Sequence, residues 1–175
     1  MTKYVIDQTH SDISFSVKYM MISSVRGCFN NYESTITADT EDFSDADFNC
    51  TIDVDSLYTG NTERDIHLKS SEFLSVANFP EMVFKSNRVR LVDDQFIIEG
   101  RLKIKEQEHD VELKGEYSGI KIDSCGQQKY CFNFKTTVKR FSWFLDFVIK
   151  NSKTLLIDND VELTLNLEFF KLEEQ

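Results

Sequence analysis

The chain holds 175 residues, 41% of them apolar, enough for one domain with its own core. Its 30 acidic and 20 basic side chains give a formal charge of −10, spread along the chain rather than gathered in a tail. That balance argues against nucleic-acid binding, which needs a phosphate-neutralising surface, and against docking on anionic membrane through Lys/Arg clusters.

Met1-Thr2-Lys3 leads straight into Tyr4-Val5-Ile6-Asp7, with no apolar run of signal length, so the chain reads as cytoplasmic. No stretch approaches transmembrane length, and no stable membrane insertion is expected. Period-two alternation then recurs, as half-buried antiparallel strands require. Ile13, Phe15 and Val17 alternate with polar residues, and the apolar run Met20-Met21-Ile22 follows beside Ser23-Ser24. That run reads either as a buried corner or as a pliable rim, since Met repacks at little cost. Phe48, Cys50, Ile52 and Val54 alternate next.

The stretch from Asp53 to Ser86 departs from the pattern, gathering charges, one of three histidines and the single proline. Asn61 or Thr62 can cap a helix running to roughly Ser75, with Glu63 and Asp65 at its positive end and Lys69 nearer the negative one. Ile66 and Phe73, seven apart, make a narrow inward stripe, with Leu68 off it. So short a helix must be held by packing on the rest. Pro80 returns the chain to extended structure.

Alternation resumes with Phe96, Ile98, Gly100, Leu102 and Ile104, then Val111, Leu113 and Tyr117, then Phe132 and Phe134. Val161, Leu163, Leu165, Leu167 and Phe169 complete it. Too little helix exists to cover a sheet with one apolar face, so the sheet folds on itself. Long strands with few Gly or Pro breaks favour a closed barrel over a sandwich, because closure removes edges. Periodicity leaves open whether the interior is filled by side chains or holds a ligand.

Cys28, Cys50, Cys125 and Cys131 lack Cys-x-x-Cys spacing and read as free thiols, with Cys125 and Cys131 the pair most able to bridge a hairpin. Arg64, Asp65 and His67 suggest an acid/base group, but residues one and two apart do not share a helix face. They read better as ties fastening the insert to the barrel, or as contacts to a polar headgroup. His10, three residues after Asp7, reads as a turn residue entering the first long strand, and no metal or cofactor is expected. No phosphate loop, nucleophile elbow or His-Glu-x-x-His motif is present.

Taken together, five segments resemble the YceI-like family. Tyr4-Val5-Ile6-Asp7-Gln8-Thr9-His10-Ser11-Asp12-Ile13-Ser14-Phe15 is similar to its aromatic-x-Ile-Asp-x-x-His-Ser-x-Ile-x-Phe start, and Val17 to Phe29 to its next signature. Thr59, Arg64-Asp65-Ile66-His67-Leu68, Phe73, Phe79-Pro80 and Phe84-Lys85-Ser86 match the central one, and Gly100 to Lys105 and a final strand ending in Glu168 follow. The chain departs from the pattern at Tyr19, where His is usual, and at Phe144, which follows Trp143 where a Gly is usual after Arg140. Gln107 to Asp110 replaces a commoner hairpin.

The resemblance implies an all-β fold, a single extended antiparallel lipocalin-like barrel of about eight strands with a short helical insert over residues 1–175. It implies a long-chain amphiphile inside, a polyisoprenoid or fatty-acid derivative, and no catalytic set. The expected ligand wall is Phe15, Val17, Phe29, Ile52, Leu68, Phe73 and Phe84, with Leu102, Leu113, Phe132, Phe134, Phe141, Trp143 and Leu165. The competing reading is that these residues fill a solid core. Two rival functions remain: an isomerase- or cyclase-type enzyme using His67 and Asp65 on an apolar substrate, and a ligand-free, stress-associated interaction module. The likeness also admits a homodimer, for which the residues show no clear interface patch.

Overall fold

The computed structural model describes residues 1–145 and 157–172. Its strands are β1 (Thr2–Ile6), β2 (Asp12–Tyr19), β3 (Ser23–Phe29), β4 (Tyr32–Ala38), β5 (Asp47–Asp53), β6 (Leu57–Tyr58), β7 (Glu81–Val92), β8 (Gln95–Ile104), β9 (Gln107–Ile122), β10 (Gln128–Lys139) and β11 (Ile157–Lys171). Among the described residues there is one α-helix, α1 (Thr62–Lys69), between β6 and β7. Eight strands run β1-β4-β5-β7-β8-β9-β10-β11 and close through antiparallel pairing of β1 with β11, Tyr4 opposite Lys171 and Ile6 opposite Phe169. This is the expected barrel.

β11 is long enough to serve two partners along the edge away from β10. Its last residues pair with β1, while Val161, Leu163 and Leu165 face Val17, Phe15 and Ile13 of β2. β2, β3 and β6 thereby extend the wall beyond the closed circuit. The corner where the chain leaves β1 for β2 is stitched to β11. The Asp7 amide donates to the Glu168 carbonyl at 2.7 Å, and the Glu168 amide donates to the Ser11 hydroxyl at 2.9 Å.

A buried charge cluster locks the same corner. Lys129, on β10, donates to the Asp7 carboxylate and lies 3.5 Å over the Phe170 ring. The His10 ring contacts the same carboxylate oxygen, Oδ2, at 2.7 Å, and the Thr9 amide donates to Oδ1 at 3.1 Å. Burial alone would raise the Asp7 carboxyl, but the bonds from Lys129 and His10 outweigh it and hold it below the usual carboxylate range.

One end of the barrel is solid. Phe132 and Phe134 of β10 stack at 5.9 Å, and Phe43 and Phe48 meet them edge-on. Phe43 comes from the β4–β5 connection, fully buried and in the left-handed region at φ 58. Its loop is held by Asp45, which accepts from the amides of Asp39 and Thr40 at 2.9 and 3.2 Å. Gly115 of β9 lies opposite both Phe96 and Phe134. A Cβ there would sit 1.8 Å from the Asn133 carbonyl oxygen and 2.6 Å from the Phe134 ring. Only glycine lets those strands close over the aromatic plug.

α1 is capped as its sequence predicts, the Asn61 side chain accepting from the Arg64 amide at 2.9 Å. It stops at Lys69, short of the expected Ser75. The Ser70 hydroxyl donates back to the His67 carbonyl at 2.7 Å, and the chain continues in turns closed by Ser75, left-handed at φ 53. The inward face also differs from the apolar stripe. Ile66 is 66% exposed, and Arg64, His67 and Leu68 turn toward the barrel, the i, i+3, i+4 set of one helix face.

Candidate functional site

The other end of the barrel is hollow. A cavity of about 700 Å³ lies between β2, β3, β5 and β7 on one side and β8 to β11 on the other, with α1 and Phe73-Leu74 across it. That volume falls within the range of roughly 300–1,000 Å³ for small-molecule sites. β10 shows why the interior divides. Phe132 and Phe134 fill the plug end, while Thr136 and Val138, next inward on the same strand, are smaller and line the cavity. β11 repeats the step, from Phe169 and Leu167 in the core to Leu165, Leu163 and Val161 along the cavity.

Eleven of the fourteen residues expected to form a ligand wall line this cavity. Phe15 and Val17 enter from β2, Phe29 from β3, Ile52 from β5 and Phe84 from β7, with Leu68 and Phe73 from the insert. Leu102, Leu113, Trp143 and Leu165 complete the opposite side. Phe132 and Phe134 do not line it, because they belong to the aromatic plug, 1% exposed each. Phe141 does not line it either; it stacks beneath the Arg140 guanidinium at 4.3 Å. Ile104, Val161 and Leu163, part of the apolar alternation but not of the expected wall, also line the cavity, as does Val138.

Trp143 is the single tryptophan and is 3% exposed. Its indole N–H donates to the Leu102 carbonyl at 3.2 Å, and the His109 ring meets it edge-on at 4.9 Å. Arg140, just before it, donates to the carbonyls of Leu145, Ile157 and Asp158 at 2.6, 2.9 and 2.8 Å. Cys50 also lines the cavity, and burial pushes its thiol up to about 12. All four cysteines are free thiols.

The insert meets the cavity through charged groups. Thr59 accepts from Arg64 Nε at its hydroxyl and from Nη2 at its carbonyl, both at 2.8 Å. Asp65 accepts from the Thr59 amide at 3.1 Å and from its hydroxyl at 2.5 Å. These bonds tie α1 to Thr59, just after β6 and within the insert itself, and His67 is in none of them. Gly27 leaves the space in which the Thr59 methyl and the Phe15 ring approach β3; a Cβ there would lie 2.9 and 2.4 Å from them. His67 Nδ1 is 3.9 Å from Glu72. At the β2–β3 turn, Met20, Met21 and Ile22 are 54%, 94% and 92% exposed, which rules out the buried corner and leaves them on the rim beside the cavity-lining Tyr19 and Ser23.

Among the described residues, one cluster has metal-ligand geometry, Asp7, His10 and Glu168, whose ligand atoms lie within 4.8 Å of one another. The Lys129 ammonium already neutralises Asp7 there, so the cluster is a structural latch. Among the described residues no helix is long and apolar enough to cross a membrane.

Residues 4–169 match the YceI-like domain. The chain belongs to the YceI-like family. A UPF0312 protein of Staphylococcus epidermidis is 32% identical over 148 residues, which cover 84% of each chain. Among solved YceI-like folds, BcnA of Burkholderia cenocepacia superposes with a TM-score of 0.81 at 17% identity, over 93% of this chain and 98% of that one. A polyisoprenoid binding domain from Saccharophagus degradans superposes with a TM-score of 0.73 at 13% identity, over 97% and 98%. At these identities the two structures speak for the YceI-like barrel.

Proposed function

We propose that the protein binds one long-chain amphiphilic lipid, a polyisoprenoid or fatty-acid derivative, in the barrel interior, and sequesters or carries it. The observation that carries this reading is the apolar cavity, closed at one end by interlocked aromatic rings and crossed at the other by a short polar helix. A buried methylene contributes about 0.8 kcal/mol, so roughly ten contribute ~8 kcal/mol gross. Micromolar affinity needs about 8 kcal/mol net, so after losses of translational, rotational and chain freedom it requires a tail that buries more than about ten methylenes. The YceI-like fold shared with a polyisoprenoid binding domain supports the same class of ligand.

The enzyme reading fares less well. Asp65 directs its carboxylate to Thr59, and His67 Nδ1 faces Glu72, so the helix presents anchors where a catalytic dyad would need Asp65 to orient His67. The ligand-free interaction module would need a barrel filled along its whole length, and the cavity runs against that.

Native mass spectrometry after gentle extraction tests the proposal. Each molecule is expected to carry one adduct of lipid mass that is lost on activation. An adduct-free protein that also fails to take up added amphiphile would overturn it.

A further inference from the structure

We propose that the headgroup of the bound amphiphile is an acid oxyanion, a carboxylate or phosphate, gripped by Arg64 with His67 beside it. This rests on the tail-binding reading and adds the chemistry of the head.

The chain has 30 acidic side chains against 20 basic ones. Among the described residues, none of those carboxylates lines the cavity, whereas Arg64, His67 and Arg140 do. In so acidic a molecule the wall has the opposite sign to the surface. Arg140 is engaged with three main-chain carbonyls at the end of β10. Arg64 is held differently. Its Nε and Nη2 donate to the neutral Thr59, which fixes the plane of the guanidinium, and among the described residues Nη1 has no hydrogen-bond acceptor and Arg64 no ion pair. Asp65 lies one hydroxyl away, its two oxygens already directed to Thr59.

A cation at an apolar wall is costly unless an anion meets it. The planar fork offers N–H groups suited to the oxygens of a carboxylate or phosphate, and such charge-assisted bonds are about twice as strong as neutral ones. His67, one helical turn on, places its imidazole on the same wall, with Nδ1 toward Glu72, which does not line the cavity. An alcohol or ester head would leave the guanidinium charge unmatched. The tail then lies along Phe15, Val17, Leu113 and Leu165, toward the aromatic plug, with the head under α1.

The test is a binding titration at neutral pH with four probes of one tail length: palmitate, cetyl phosphate, cetyl alcohol and methyl palmitate. The two anions are expected to bind at least about tenfold more tightly than the two neutral probes. Arg64→Gln should lose that preference while keeping its affinity for cetyl alcohol, and Arg101→Gln, at a side chain that does not line the cavity, should keep it. Equal affinity for charged and neutral heads would overturn the inference and leave tail binding standing. Loss of cetyl alcohol together with palmitate in Arg64→Gln would remove Arg64 as the headgroup contact and make it a scaffold residue. Failure of all four probes to bind would overturn the tail-binding reading itself. A preference for palmitate over cetyl phosphate, or the reverse, names the oxyanion.

Discussion

Asp7 and Lys129 are nearly buried, with side-chain exposures of 9% and 4%, and each is the other's main compensation. Removing one charge from such a pair strands the other, which costs about 3–5 kcal/mol. Asp7→Asn is therefore expected to lower stability by that amount, measurable by denaturant unfolding. The pH dependence has a definite sign. The folded Asp7 carboxyl is held below its ordinary value, so its stabilising contribution is present above the unfolded carboxylate value of about 3.9 and fades as pH falls through the lower folded one. The stability gap between the wild type and Asp7→Asn should hold from neutrality to about pH 5 and narrow below about pH 4. A gap that stays constant down to acid unfolding would show that Asp7 acts through shape alone. Little of this latch was legible in sequence: His10 after Asp7 marked a turn, but Lys129 arrives from 122 residues away and no local pattern points to it.

At the scale of elements, strand parity was readable and helix orientation was not. The inward sets of β2, β5, β8, β9, β10 and β11 follow from alternation, because a strand on a core has one wet face. An apolar stripe does not give the inward face of α1, because the helix crosses a cavity end instead of packing on a filled core. There Thr59 takes hold of Arg64 and Asp65, turning Leu68 inward and Ile66 to solvent. Its start was legible through Asn61, while its end was set by Ser70 folding back on His67. β9 supplies a sharper test. Gly115→Ala places a methyl group against the Asn133 carbonyl and the Phe134 ring, contacts that neither strand can yield easily. Overpacking of this kind costs about 1–3 kcal/mol, so the variant should unfold at lower denaturant. An unchanged midpoint would mean that β9 and β10 are looser than the aromatic plug implies.

For the whole molecule, the barrel interior divides into an aromatic plug and an apolar cavity. Period two tells inside from outside but not height along the barrel axis, so Phe132 and Phe134 could not be separated from Leu102 or Leu113 by alternation. The steps from Phe134 to Thr136 on β10 and from Phe169 to Leu165 on β11 are the sequence trace of that division. They gain meaning only once pairing fixes which residues lie at one level. Phe43, which completes the plug, sits in an acidic loop with no strand signal at all. Trp143, alone of its kind and in the cavity wall, makes the central claim directly measurable. Titration with a fatty acid brominated in its tail should quench tryptophan fluorescence saturably at one equivalent, and the unbrominated acid should reverse the quenching by competition. Emission that does not change with the brominated acid, while the protein remains folded, would contradict a tail-binding cavity.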